Sequence, residues 1–238
     1  MMNNKQAFIF DMDGVLTDNM QFHADSWVEL FKDFGLQGLD AERYMVETAG
    51  MKGHDVLRYF LDPQISEQEA ERLSELKDFL YRVMSRDRIK AMPGLGQFLD
   101  DASQRGVKLG IGTGAGPKNI DYVLGILGIN DTFQAIVNPF QVRHGKPQPD
   151  IFLRVATLLE VPPSACIVFE DALPGVDAAR RAGMQCVAVT TTNRPEAFSH
   201  FDNVIQVISD FRQLSLDDLF EPSLLSLNLD PFTEDRDA

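Results

Sequence analysis

Cysteine is scarce in this chain, with two residues in 238, Cys166 and Cys186, each inside an apolar, strand-like run. Such a count excludes a disulfide framework, and buried reduced thiols are the expected state. Positive charge is also short: 22 Lys and Arg face 36 Asp and Glu, for a net charge of −14. Without a compensating basic cluster, a general binder of nucleic acid or of anionic membranes is not expected. A phosphate ester can still bind if a metal and a few placed cations supply a local field. No apolar run reaches transmembrane length, and Met1-Met2-Asn3-Asn4-Lys5 lacks the apolar segment of a signal peptide. The expectation is a cytoplasmic protein. Repeats and low-complexity tracts are absent as well. The apolar fraction of 44% and charged fraction of 24% are those of an ordinary globular chain. The length suits one large domain, or a core domain with an insert.

Near the start stands Phe8-Ile9-Phe10-Asp11-Met12-Asp13-Gly14-Val15-Leu16-Thr17-Asp18. Alternation along an extended chain puts Asp11 and Asp13 on the same side of a strand end. Two carboxylates so close are costly unless a cation lies between them. A hard divalent ion with oxygen ligands, Mg²⁺ above all, resolves that conflict. One carboxylate is then free to attack phosphorus while the other handles protons.

Residues 21–88 change character. Phe22, Trp27, Leu30, Phe31 and Phe34 recur at helical spacing, as do Val56, Leu57, Phe60 and Leu61. Leu73, Leu76, Phe79, Leu80 and Val83 form a further stripe, read as core. Beyond Pro93-Gly94 the pattern alternates helix with strand, including Val107–Gly112, Ala135–Val137, Ala165–Phe169 and Cys186–Val189. Strands apolar on successive residues are expected when both faces are covered. The fold class is therefore α/β: a parallel sheet core with helices on both faces and an inserted all-helical unit. The expected domains are residues 1–20 with 89–215 as core, 21–88 as helical insert and 216–238 as acidic tail. Leu216, Leu219 and Phe220 could dock a short helix, with the rest on the surface.

Four strand ends carry compatible chemistry, and function in such sheets gathers beyond the carboxyl ends. The first holds Asp11 and Asp13. The second runs into Thr113-Gly114-Ala115-Gly116, a hydroxyl and unhindered amides suited to phosphate oxygens. Beyond the third comes Gly145-Lys146-Pro147, a lysine on a stiff loop. The fourth ends in Glu170-Asp171, further oxygen ligands for a cation. Each piece is weak alone. In order, at successive strand ends, they are specific.

These residues resemble the four motifs of the haloacid dehalogenase superfamily, and the likeness covers residues 6–190 or so. Phe169-Glu170-Asp171 with Pro174-Gly175-Val176 is similar to the fourth motif at length. The helical insert resembles the superfamily's four-helix cap on a Rossmann-like core. His23 with Trp27 is similar to a His-x-x-x-Trp pattern of the β-phosphoglucomutase-like group. The resemblance implies that Asp11 is the nucleophile forming an aspartyl-phosphate and Asp13 the general acid/base. It further implies that Thr113 and Lys146 bind and neutralise the phosphoryl group. Asp11, the Asp13 carbonyl and Asp171 would hold Mg²⁺, with Glu170 in or near that shell. The second aspartate sets the chain apart from the family's dehalogenases.

Departures from the pattern also matter. Gly114 stands where an asparagine is commoner, so a substrate contact there falls to backbone. Met51-Lys52-Gly53-His54-Asp55 lacks the arginine with which mutases grip a second phosphate, although Arg58 lies one turn on. Asn19 occupies a hinge position that is often threonine or serine. These features favour a phosphatase acting on a small phosphorylated metabolite of sugar-phosphate type over a β-phosphoglucomutase, with a pyrophosphatase as a third option. His23, Glu47, Lys52 and Arg58 are candidate substrate contacts in the insert, beside Gly114. The chain is expected to be a monomer or weak homodimer. A dinucleotide-binding module is disfavoured: the glycines at 110, 112, 114 and 116 do not have Gly-x-Gly-x-x-Gly spacing and follow a later strand.

Overall fold

The apolar run Ala7–Phe10 (β1) lies in the middle of a six-stranded sheet, buried on both faces. The computed structural model describes residues 6–36, 39–47, 53–212 and 214–220. After β1 come four helices: α1 (Met20–Asp33), α2 (Ala41–Glu47), α3 (Gly53–Phe60) and α4 (Glu67–Ser85). Alternation then follows, with α5 (Leu95–Gln104), β2 (Lys108–Gly112), α6 (Pro117–Leu127), β3 (Ala135–Val137) and α7 (Asp150–Leu159). The chain continues through β4 (Cys166–Glu170), α8 (Leu173–Arg181), β5 (Gln185–Val189), β6 (Val204–Ile208) and α9 (Leu216–Phe220). Among the described residues no helix is long and apolar enough to cross a membrane.

All pairings are parallel and the strand order is β3-β2-β1-β4-β5-β6. From β1 the chain builds outward through β2 and β3, then crosses back to start the other half at β4. The crevice beyond the ends of β1 and β4 is thus the topological switch point, where such sheets bind ligands. Register puts the site at one level, because Phe10 pairs with both Ile111 and Phe169. Side chains alternate between two apolar layers. Phe8 and Phe10 join Phe98, Phe169 and Phe211 on one face, with Phe10 stacked on Phe169 at 4.6 Å. Ile9 and Val168 meet Phe152, Val155 and Ala179 on the other.

The glycine run in β2 has a packing cause. A Cβ on Gly110 would lie 2.5 Å from Val155, and one on Gly112 would lie 2.9 Å from Phe152, so helix α7 rests directly on the strand. The bare backbone there serves helix–sheet contact.

In the insert, Trp27, Leu30, Phe31, Val56, Leu57, Ala70 and Leu73 make a separate small core. Helix α4 departs from expectation. Leu76, Phe79 and Val83, read as core, are 38%, 55% and 57% exposed. The buried stripe is instead Ala70, Leu73, Lys77, Tyr81 and Ser85. That face wins because it meets α1 and the hinge below it, where polar partners await Lys77 and Tyr81. At the start of the expected tail, α9 packs on the core through Leu216 and Leu219, and Phe220 stacks on Phe8 at 6.1 Å. Residues 221–238 of the expected tail lie outside the described residues.

Candidate active site

Asp11 continues β1 by one residue, its amide bonded to the Phe169 carbonyl at 2.9 Å. Lys146 reaches the same point from the loop before α7. Its Nζ donates to Asp11 Oδ1 at 2.5 Å and to Glu170 Oε1 at 2.6 Å. The other Glu170 oxygen accepts from the Asp171 and Ala172 amides, both at 2.9 Å. Both oxygens of Glu170 are therefore engaged. Glu170, expected in or near the metal shell, is placed here as a buried strut holding Lys146. Thr113, fully buried, extends β2 through its amide to the Val137 carbonyl, and its hydroxyl accepts from the Ala115 amide at 3.1 Å. Gly114 and Gly116 line the adjoining cavity, and a Cβ on Gly114 would meet only open space.

Asp171 accepts from the Thr192 hydroxyl, and Asn193 donates to the Asp171 carbonyl at 2.9 Å. Thr191 donates to the Gly14 carbonyl at 2.5 Å, so the loop after β5 ties the two motifs together. Gly14 has φ of +82°, and a Cβ there would fall 2.1 Å from Asp171 Oδ2. Only glycine allows both that backbone and that approach.

Asp13 faces away from Asp11's partners. Its Oδ1 accepts from Asn19 Nδ2 at 2.6 Å, and its Oδ2 lies 3.5 Å from His23 Nε2, an ion-pair distance just short of a hydrogen bond. The His23 ring is stacked on Tyr81 at 3.9 Å. Lys77 from α4 lies 3.0 Å from His23 Nδ1 and donates to Asp78 Oδ1 at 2.9 Å. An ammonium can only donate, so Nδ1 accepts and the ring proton sits on Nε2, toward Asp13. Asn19 also donates to the Tyr81 hydroxyl at 2.6 Å and accepts from the Gly14 amide at 3.2 Å.

The electrostatics separate the two aspartates. Burial pushes Asp11 up to about 7; Lys146 pulls against it, while Glu170 and Asp13 add to it. Asp171 is driven well above its ordinary value by burial, Glu170 and Asp11. Burial acts the same way on Asp13, but His23, Asn19 and Lys77 outweigh it and hold the carboxyl below the usual range. Lys146 is held above the ordinary lysine value: burial opposes its charge, and the Asp11 and Glu170 carboxylates prevail. Asp11 and Asp171 thus share a buried site with more negative charge than Lys146 balances. That donor set fits a hard cation. Among the described residues no three His, Cys, Asp or Glu side chains converge on one point. Mg²⁺, which keeps several waters and needs one or two carboxylates, suits such a site.

A cavity of about 370 Å³ opens over these groups, bounded by the core loops and by the insert. His23, Trp27, Tyr44, Val56, Lys77 and Asp78 form its upper wall. Glu47 and Arg58, expected as substrate contacts, do not line it. Glu47 pairs with Arg43 at 2.6 Å and Tyr59 at 3.2 Å, and Arg58 with Asp55 at 3.2 Å and Glu67 at 2.8 Å. Helix α3 turns Val56 to the cavity, which carries Arg58 round to the acidic start of α4. Lys52 lies outside the described residues. Lys77, Asp78, Tyr81 and Thr192 escaped the sequence reading.

Comparison with known proteins agrees with this architecture. The profile of the haloacid dehalogenase-like hydrolases matches residues 5–183. A β-phosphoglucomutase of Bacillus subtilis is 31% identical over 192 residues, covering 77% of this chain and 83% of that protein. The fructose-1-phosphate phosphatase YqaB of Escherichia coli is 32% identical over 183 residues, covering 77% and 95%. The crystal structure of a β-phosphoglucomutase from Clostridium difficile superposes with a TM-score of 0.75 at 30% identity, over 91% of this chain and 96% of the other.

Proposed function

The chain belongs to the haloacid dehalogenase-like hydrolase family, and we propose that it hydrolyses a small sugar-type phosphate monoester through an aspartyl-phosphate on Asp11. The observation that carries this reading is the division of labour at the β1 end. Asp11 is gripped by Lys146, while Asp13 is turned to a separate network two residues away. In the first step an Asp11 carboxylate oxygen attacks phosphorus and the ester P–O bond breaks. Asp13, which its network holds ionised at rest and which must first take up a proton, gives that proton to the departing oxygen. In the second step Asp13 takes a proton from water, whose oxygen attacks phosphorus; the Asp11–phosphorus bond breaks and inorganic phosphate leaves.

Phosphoryl transfer is chiefly positioning and neutralisation of spreading charge. Lys146 supplies one positive group, and the Thr113 hydroxyl with the amides of Gly114 and Gly116 supplies donors. Asp11, Asp171 and the Asp13 carbonyl would hold Mg²⁺, which would supply a second positive centre for the phosphoryl group. His23 with its proton on Nε2 keeps Asp13 oriented, and Lys77 fixes the ring.

Asp11→Asn removes the nucleophile and should abolish phosphate release from p-nitrophenyl phosphate in Mg²⁺; undiminished turnover would sink the mechanism. A phosphomutase reading is favoured by one observation: the Lys118-Asn119 pair at the start of α6 resembles a pair of the mutases, and Asn119 lines the cavity. Against it, Arg58 is committed to Asp55 and Glu67. β-Glucose 1-phosphate supplied with a trace of the bisphosphate separates the two. Stoichiometric glucose 6-phosphate with little free phosphate would establish the mutase instead.

A further inference from the structure

The cavity has two chemically distinct ends. The core end holds Asp11, Thr113, Lys146 and Asp171, where the phosphoryl group would sit. The insert end pairs the rings of Trp27 and Tyr44, 6.3 Å apart and 24° from parallel, with Lys77 and Asp78. Lys77 offers little to a ligand. Its ammonium is shared between His23 and Asp78 and lies 5.4 Å from the Trp27 ring centre and 5.9 Å from that of Tyr81. The side chain is only 9% exposed. Asp78 differs. Its side chain is 31% exposed, Oδ1 holds Lys77, and Oδ2 has no partner among the described residues. The cavity's insert end therefore presents an open carboxylate oxygen and an aromatic wall. Among the described residues, the lysines lining the cavity are Lys146 and Lys77, and each already sits on carboxylate.

We propose that Asp78 is a specificity determinant: it selects a substrate whose non-reacting end is neutral and bears hydroxyls, and it rejects one carrying a second anionic group. This rests on the phosphatase reading above. A hydroxyl donates to Asp78 Oδ2, a charge-assisted bond of the stronger kind, while the C–H face of the sugar lies against Trp27. A second phosphate in the same place meets a like charge and, among the described residues, finds no free cation to offset it. Asp78 also keeps Lys77 from acting as an anion clamp.

The test uses p-nitrophenyl phosphate hydrolysis as reporter, with glucose 6-phosphate and glucose 1,6-bisphosphate as competitors. Inhibition constants are measured for wild type, Asp78→Asn and Asp78→Glu. A ratio of two competitors on one enzyme cancels any effect transmitted through Lys77 and His23 to Asp13. In wild type the monophosphate should compete better than the bisphosphate. In D78N that preference should fall by about tenfold, the size of one like-charge contact at a partly exposed site. D78E keeps a carboxylate and should keep the preference. A D78N ratio equal to wild type overturns the proposal, and so does failure of the monophosphate to compete in wild type. Absence of p-nitrophenyl phosphate turnover by wild type would count against the phosphatase reading itself, a separate result. Thermal unfolding of D78N should match wild type within a few degrees, since the side chain is on the cavity surface; a collapse of the fold would instead give Asp78 a structural role and overturn the assignment.

Discussion

Asn19 is the residue whose removal tests the arrangement most directly. It is fully buried, and its amide group makes contacts with Asp13 Oδ1 at 2.6 Å, the Tyr81 hydroxyl at 2.6 Å and the Gly14 amide at 3.2 Å. It thus joins the catalytic turn to helix α4, 62 residues further along the chain. Asn19→Ala strips a donor from the Asp13 carboxylate and from the Tyr81 hydroxyl oxygen, while the Gly14 N–H keeps the Thr17 carbonyl at 2.8 Å. Each acceptor left without its buried donor costs about 1–3 kcal/mol, so the loss is about 3 kcal/mol in total. For a chain of this size that corresponds to a fall in Tm of about 6–12 °C. Tyr81→Phe removes the hydroxyl itself and should cost only about 1 kcal/mol, because Asn19 still has Asp13 to bond. The double variant then loses less than the sum, by about 1 kcal/mol, since N19A has already orphaned the hydroxyl that Y81F deletes. Differential scanning calorimetry of the four proteins closes the cycle. In activity, Asp13 loses its closest hydrogen bond, a charge-assisted one, and kcat should drop by roughly tenfold to a hundredfold. Strict additivity of the two substitutions, or an N19A protein as stable as wild type, would refute the reasoning.

Two other outcomes follow from the same site. Burial raises Asp11 from an ordinary 3.8 to about 7, and Asp171 moves in the same direction. A raised carboxyl pKa means the folded protein holds its proton more tightly than the unfolded chain. Stability without metal should therefore decline as pH rises from about 4 through about 7, with the whole cost present above that. Asp13, shifted downward, acts only below its ordinary value and does not cancel this. Mg²⁺ should offset the cost, raising Tm more at about pH 8 than at about pH 5 in thermal melts; an equal gain at both would contradict it. Gly14→Ala combines a left-handed backbone with a Cβ 2.1 Å from Asp171 Oδ2, so it should lower both Tm and turnover. Wild-type turnover in G14A would mean that the loop yields freely, contrary to its tie through Thr191.

The core was largely readable from the chain because its signals are local. Successive apolar residues mark a strand covered on both faces, and a polar residue at the end of such a strand can point only into the crevice beyond it. Asp11, Asp13, Thr113, Lys146 and Asp171 were found on that ground. Glu170 was found as well, but its contacts with Lys146 and two amides were not, because they depend on where the neighbouring loop comes down. The insert resisted for a different reason. Helix α4 carries two apolar stripes, and periodicity alone does not say which faces inward. Leu76, Phe79 and Val83 look the better core, yet Lys77 and Tyr81 are buried. Charged residues near a cavity in sequence, such as Glu47 and Arg58, can satisfy each other's neighbours on the outer surface instead.

By itself the sequence determined the parallel α/β core, the helical insert and the polar residues gathered at the strand ends, since strand alternation acts over a few residues. Tertiary structure alone decided the partnerships that divide Asp11 from Asp13. Lys146 meets Asp11 across 135 residues, and Lys77 meets His23 across 54. Such pairs form only when packing brings distant segments together; burial raises both carboxyls alike, and their different partners set them apart in their affinity for a proton.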